Sequence, residues 1–236
     1  MNGTDRIPGQ INNSSEVILE TFHALKHAVR FDAPVSKVIT DDKKAVLTLC
    51  DTLAPDIKES LVFTEVGPEE FTKQSLRQLE SHVFATAKRP TYTWEEIKNR
   101  KGKIVVLDQP TNPGNVGACI RVAAARGVAG VIVLGEIDPW HPSVVRGAAG
   151  LQFALPVLGL QELPELDRPL IALHEVGESL DETTLPENAT LVFGSERRGI
   201  SSNLRARAEN TVTIPMQPGV SSLNLATSVA ITLYTH

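Results

Sequence analysis

Three short stretches carry residue types suited to chemistry, and each directly follows a segment that reads as a buried strand. The first runs Asn112-Pro113-Gly114-Asn115-Val116-Gly117-Ala118-Cys119-Ile120-Arg121. Its glycines at a helix start would let main chain approach a ligand, and a helix N-terminus offers free N–H groups to an anion. Arg121 follows Asn115 by six residues, close to two helical turns, so the two are expected to share the exposed end of one face. The second stretch is Gly194-Ser195-Glu196-Arg197-Arg198-Gly199, a charged triplet between glycines. Read alone, it is a solvated turn in which Glu196 caps the following helix. The third is Ile214-Pro215-Met216-Gln217-Pro218-Gly219-Val220-Ser221-Ser222-Leu223-Asn224. Ser222 fits as the N-cap of a last helix. Asn224 then falls inside its first turn, where capping alone does not explain it.

The elements that must position these stretches alternate in type. The spacing predicts a polar lead-in over 1–13 and a helix from Ser14, on the recurrence of Val17, Leu19, Phe22, Leu25 and Val29. Strands over 35–39, 60–66 and 82–87 follow, with helices over 45–53 and 69–79 between them. This is a small α/β sandwich. A junction broken by Pro90 and made basic by Lys98, Arg100, Lys101 and Lys103 spans 88–102. From 103 onward, strands are expected over 104–108, 130–134, 153–158, 169–174, 190–193 and 212–214, with helices over 116–126, 203–208 and 222–234. Such runs predict a mainly parallel sheet with helices on both faces, whose ligands sit at the carboxyl ends of the strands.

Composition narrows the setting. Hydrophobic residues make up 42% and aromatics 5%, so the core of these 236 residues is aliphatic. No apolar run has the length of a membrane span, and the start lacks the apolar centre of a signal peptide, so a cytoplasmic protein is expected. Cys50 and Cys119 read as reduced buried thiols. His23 and His27 have metal-ligand spacing but no third ligand, and they read as ordinary helix histidines; no metal site is expected. His82 and His174 read as packed histidines. The net charge is −5. Yet residues 162–187 hold eight acids and one base, while the rest of 101–236 holds nine bases and five acids. The motif-bearing segments are therefore mildly basic, which permits a nucleic-acid partner.

Taken together and in order, Asn115…Arg121, then Gly194-Ser195-Glu196-x-x-Gly199, then Pro215-Met216…Ser222-Leu223-Asn224 resemble the three motifs of the SpoU/TrmH RNA methyltransferases. The segment Gly147-Ala148-Ala149-Gly150 ahead of Phe153-Ala154-Leu155-Pro156-Val157 resembles the same family. The resemblance covers about 103–236 and implies a sheet whose C-terminal part is tied in a deep trefoil knot. It implies S-adenosylmethionine as cofactor, lined by Gly194, Ile214, Met216 and Leu223. It implies Arg121 at the target ribose, with Asn115, Glu196, Ser222 and Asn224 shaping the site, and a homodimer whose subunits complete the active sites together. The domain over 14–87 resembles the ribosomal-protein-like, substrate-binding domain of rRNA-directed members, which makes large-subunit (23S) rRNA the expected substrate for 2′-hydroxyl methylation. A tRNA 2′-O-methyltransferase and a SpoU-like RNA-binding protein without transfer activity are the alternative readings. Asn112-Pro113 stands where Asp-Pro is frequent. Asp138-Pro139-Trp140-His141-Pro142 has no counterpart, and reads as a packed Trp or a mark of target choice.

Overall fold

The computed structural model describes residues 15–75, 79–195 and 197–235. The lead-in expected over 1–13, the Ser14 cap, positions 76–78 of the expected third helix, Glu196 and His236 lie outside the described residues.

The chain begins with a strand where a helix was expected. In β1 (Glu16–Leu19), Val17 and Leu19 alternate inward with period two. Thr21 then caps α1 (Phe22–Arg30), its hydroxyl accepting the Ala24 N–H at 3.2 Å. Apolar residues from a strand and a helix had merged into one apparent helical stripe. β2 (Val35–Thr40) leads to α2 (Lys43–Leu53), capped by Asp42, whose carboxylate accepts the Ala45 N–H. The strand expected over 60–66 contracts to β3 (Thr64–Glu65), preceded by a 3-10 turn (Pro55–Ser60). α3 (Pro68–Ser75) and β4 (Val83–Lys88) complete this part. Its sheet has the order β1-β4-β2-β3, antiparallel except for the β2–β3 pair.

The basic stretch between the two sheets carries α4 (Trp94–Lys98). Thr93 and Glu96 form a capping box, and Ile97 is fully buried beside Gly130, where a Cβ would stand 2.8 Å from its Cγ2. Then follow β5 (Ile104–Asp108), α5 (Pro113–Ala125), β6 (Gly130–Leu134), α6 (Pro142–Gly147), β7 (Val157–Leu160), β8 (Leu170–Ser179), β9 (Thr190–Gly194), α7 (Ser202–Arg207), β10 (Asn210–Thr213) and α8 (Leu225–Tyr234). The six strands are parallel in the order β10-β8-β9-β5-β6-β7. The strand order reverses between β5 and β9, and ligands of such sheets sit beyond the carboxyl ends of the strands. β5 and β6 are buried at every position, as a sheet covered on both faces requires.

Strand β8 departs from regular pairing. Thr211 opposes Ala172, but the next residue, Val212, opposes Glu178. Residues 173–177 therefore bulge out of the ladder with β10, while Leu173 still pairs with Phe193 of β9. All eight acids of 162–187 are exposed, an ordinary solvated face.

The two sheets share one continuous hydrophobic cluster that includes Val17, Leu25 and Val83 as well as Val105, Phe153 and Leu191. The joint is specific. His27 Nδ1 donates to the Ala149 carbonyl at 2.6 Å, and Arg146 pairs with Glu20 at 2.6 Å. Arg89 holds Asp138 with both terminal nitrogens and lies over the Trp140 ring. Trp140 is 4% exposed and meets Phe153 edge to face, so the Asp138–Pro142 run includes a packed Trp at this joint. Gly150 (φ +77°) abuts Ala24: a Cβ there would stand 2.7 Å from its main chain. Cys50 and Cys119 are both buried, and among the described residues neither is in a disulfide. Among the described residues, no helix is long and apolar enough to cross a membrane.

Candidate active site

The crevice at the carboxyl ends of β8, β9 and β10 is a cavity of about 640 Å3. Apolar groups of Leu173, Phe193, Ile214, Met216, Leu223 and Leu225 line it, together with the hydroxyls of Ser221, Ser222 and Ser228. Gly194 ends β9 at its wall, and a Cβ there would overlap the main chain of Gly199 and Ile200. Only glycine therefore lets the 195–199 loop close back. Ser195 and Gly199 exchange both main-chain bonds across it, and the Ser195 hydroxyl accepts the Arg198 N–H at 3.2 Å. The buried Asp108 carboxylate, at the end of β5, accepts the Ser201 N–H at 2.6 Å and fixes the far end of the loop. In sequence Asp108 reads only as the last residue of a strand.

The opposite wall is the stretch 214–224. Among the described residues, the main chain of 214–223 bonds to itself once, Val220 N–H to Gln217 O. Its remaining N–H and C=O groups are available to water or to a ligand. The stretch ends at Asn224, not Ser222: Asn224 is the N-cap of α8, its Oδ1 accepting the Ala226 N–H at 2.9 Å. The helix starts three positions later than expected, so Ser222 stays on the cavity wall as loop. Asn224 also donates through Nδ2 to Asn115 Oδ1 at 3.1 Å. That bond ties the third stretch to the first.

The first stretch is helix rather than loop from Pro113 onward. Asn112 caps α5, its Oδ1 accepting the N–H groups of Gly114 and Asn115. The glycines expected to admit a ligand admit α6 instead. A Cβ on Gly117 would stand 2.6 Å from the Val144 carbonyl oxygen and 2.7 Å from the Ala148 nitrogen, and Gly147 lies against Gly114. Arg121 does not line the cavity, whereas Gly194, Ile214, Met216, Ser222, Leu223 and Asn224 do. Six residues of helix advance it about 9 Å and leave it about 120° round the axis from Asn115, on a different face. It is exposed, and its charge is felt by His23 and Lys26 of α1. Glu196 lies outside the described residues.

The sequence reading did not single out Leu173 or Glu175 as lining residues, and it took His174 for a packed histidine. All three line the cavity: Leu173 is the last β8 residue paired with β9, and His174 and Glu175 lie in the bulge opposite β10. The His174 ring accepts the Val176 N–H at Nδ1, with Arg205 at 3.5 Å from Nε2. Strand-like composition hides such an excursion, since Leu, His and Val all suit a strand.

The SpoU rRNA methylase family model matches residues 102–234. A tRNA/rRNA methyltransferase of Synechocystis, itself described as uncharacterized, is 37% identical over 55% of this chain and 51% of its own length. A 23S rRNA (uridine(2479)-2′-O)-methyltransferase of Streptomyces viridochromogenes is 30% identical over 85% of this chain and 71% of its own. The chain thus spans about half of the first relative and 71% of the second. Among solved structures, the SpoU methyltransferase AviRb of Streptomyces viridochromogenes in complex with AdoMet superposes with a TM-score of 0.77. It is 25% identical, over 94% of this chain and 89% of that one.

Proposed function

The chain belongs to the SpoU rRNA methylase family, and we propose that it transfers a methyl group from S-adenosylmethionine to a ribose 2′-hydroxyl of large-subunit (23S) rRNA. The observation that carries this reading is the convergence of two motif stretches on one cavity and the tether of the third to it through Asn224 and Asn115. Relatives known as 23S rRNA 2′-O-methyltransferases support the choice of reaction and substrate class.

The residues present suit the cofactor. A cavity of about 640 Å3 lies in the size range of small-molecule sites. Its apolar side chains suit a purine face and a thioether chain, and the unpaired main chain of 214–223 suits ribose hydroxyls and an amino-acid head group. Gly194, Ile214, Met216 and Leu223 would hold the group. When bound, it supplies a methyl carried on a sulfonium.

The chain's own residues then have to bring a ribose oxygen into line, and positioning of this kind accelerates transfer strongly. Asn115 and Asn224, held to each other at 3.1 Å, present a fixed amide edge beside the cavity. Ser222 is a polar residue of the cavity wall, and the reading gives Glu196 a part in shaping the site. Arg121 orients the target by gripping an adjacent phosphate and stabilises negative charge developing on the oxygen. A guanidinium stays protonated, so it is not the base. Because Arg121 lies outside its own protomer's cavity, the reading includes a homodimer in which the partner's Arg121 completes each site.

In this reading 14–87 is the RNA-substrate-binding α/β domain, 88–102 the link and 103–236 the methyltransferase domain. The C-terminal part of that last domain carries the deep trefoil knot. The enzyme works in the cytoplasm, where ribosomal RNA is made.

The test is transfer of label from radiolabelled S-adenosylmethionine to unmodified rRNA, tRNA and ribosomal subunits. Label is expected in 23S rRNA. Arg121→Ala should abolish transfer, at least about a thousandfold, while calorimetric cofactor affinity persists. Near-normal turnover by that variant would remove Arg121 from the mechanism. Label in tRNA alone would move the substrate to the alternative.

A further inference from the structure

Two cations, Lys26 and Arg121, and the imidazole of His23 come together where the first sheet's helix approaches α5. α1 and α5 are both seated on one element, α6 and the turn that follows it. α1 meets that turn through Ala24 against Gly150 and His27 against the Ala149 carbonyl. α5 meets it through Gly117 against Val144 and Ala148. The shared seat brings exposed His23 and half-buried Lys26 of α1 within electrostatic reach of exposed Arg121 of α5. Arg30 on the same helix is occupied by a two-nitrogen bond to Asp56. None of His23, Lys26 and Arg121 has an ion pair among the described residues.

Positive charges placed together with little counter-charge disfavour one another, so the arrangement suits an anion that completes it. Burial and these neighbours favour the uncharged forms of His23 and Lys26. Burial first, then Lys26 and Arg121, hold His23 below the ordinary histidine value; burial, Arg30 and Arg121 hold Lys26 below the ordinary lysine value, opposed by Asp56.

We infer that His23, Lys26 and Arg121 form one binding site for consecutive phosphates of the substrate RNA, so that α1 grips the strand beside the nucleotide that Arg121 orients. This rests on the RNA-methyltransferase reading and adds the surface of the first domain that holds the substrate. Phosphate binding reverses the repulsion on His23, so RNA binding takes up a proton there. The charged and titratable groups facing His23 are Lys26 and His27 on its own helix and Arg121 from α5, all cations or neutral.

The experiment is filter binding of the full chain to an unmodified 23S rRNA transcript across a KCl series, with cofactor affinity measured separately by calorimetry. For a His23→Ala/Lys26→Ala double variant, the RNA dissociation constant should rise about tenfold and the log–log salt slope should shrink by about one to two. Lys26→Arg should keep the slope of the parent. The parent should bind RNA more tightly at pH 6 than at pH 8, and His23→Ala should lose that difference. An unchanged affinity and salt slope in the double variant, with cofactor binding intact, would overturn the site. Methyl transfer by the parent with that result sinks this inference alone. Salt-dependent RNA binding that the double variant weakens, without methyl transfer, sinks the activity and leaves the site standing.

Discussion

The two sheets of this chain differ in how they are held, and the difference decides what each can do. The parallel sheet is buried at every residue of β5 and β6, with helices on both faces. The other has an edge strand of two residues, Thr64–Glu65, both exposed, and a neighbour, β2, whose Ser36 and Lys37 are exposed. A buried parallel sheet suits a cavity whose walls must not move. A half-exposed mixed sheet suits a surface that reads another molecule. In the proposed reading the contrast assigns catalysis and recognition to different sheets, and it can be tested from either side.

The largest expected effect falls on the parallel side. Gly194→Ala places a Cβ into the main chain of Gly199 and Ile200. The 195–199 loop must then move, and cofactor affinity measured by calorimetry should fall by about a hundredfold, equivalent to about 3 kcal/mol. Filter binding of RNA should change little. Equal loss of both would erase the division of labour.

Next comes the joint. Gly150→Ala combines a positive φ with a contact of 2.7 Å to the Ala24 main chain. Urea unfolding should show a loss of about 2–3 kcal/mol. Amide exchange should place the faster opening in α1 and β1 rather than in β5 and β6. Uniform acceleration across both sheets would mean that they open as one unit.

The smallest effect is that of pH. His27 is held below the ordinary histidine value chiefly by burial, with Lys26, Arg30 and His23 adding to it and the Ala149 bond opposing. A lowered folded-state value means its contribution is present above the unfolded value, about 6.5, and is lost as pH falls through the folded value. Urea stability should therefore decline from pH 7.5 to 5.5. His27→Gln, which keeps a donor for Ala149 without the charge, should flatten part of that decline. An identical slope in the variant would assign the pH dependence to other groups.

The same contrast explains what the sequence disclosed. β5 and β6 were legible to the residue, because continuous apolar runs between turn signals have one solution in a sheet covered on both faces. β1 was not: Val17 and Leu19 of a strand continue by accident into the helical spacing of Phe22 and Leu25. The expected strand over 60–66 failed at an edge where only Ile39 and Thr40 offered partners. In the site, the wall residues Gly194, Ile214, Met216 and Leu223 were legible because ordered motifs carry them. The place of Arg121 was not, because six residues of helix do not return to the same face. His174 and Glu175 were hidden by a register jump that has no sequence signature.

The seat of Ala24 on Gly150 has one more consequence. With main chain against main chain and no side chain between, the interval from the α1 cations to the cavity is set like the offset of a gauge. A longer or looser junction between the sheets would not lengthen it. If α1 holds the RNA as inferred, a chain of this build would select a different nucleotide by repainting the exposed face of α1, not by swinging it.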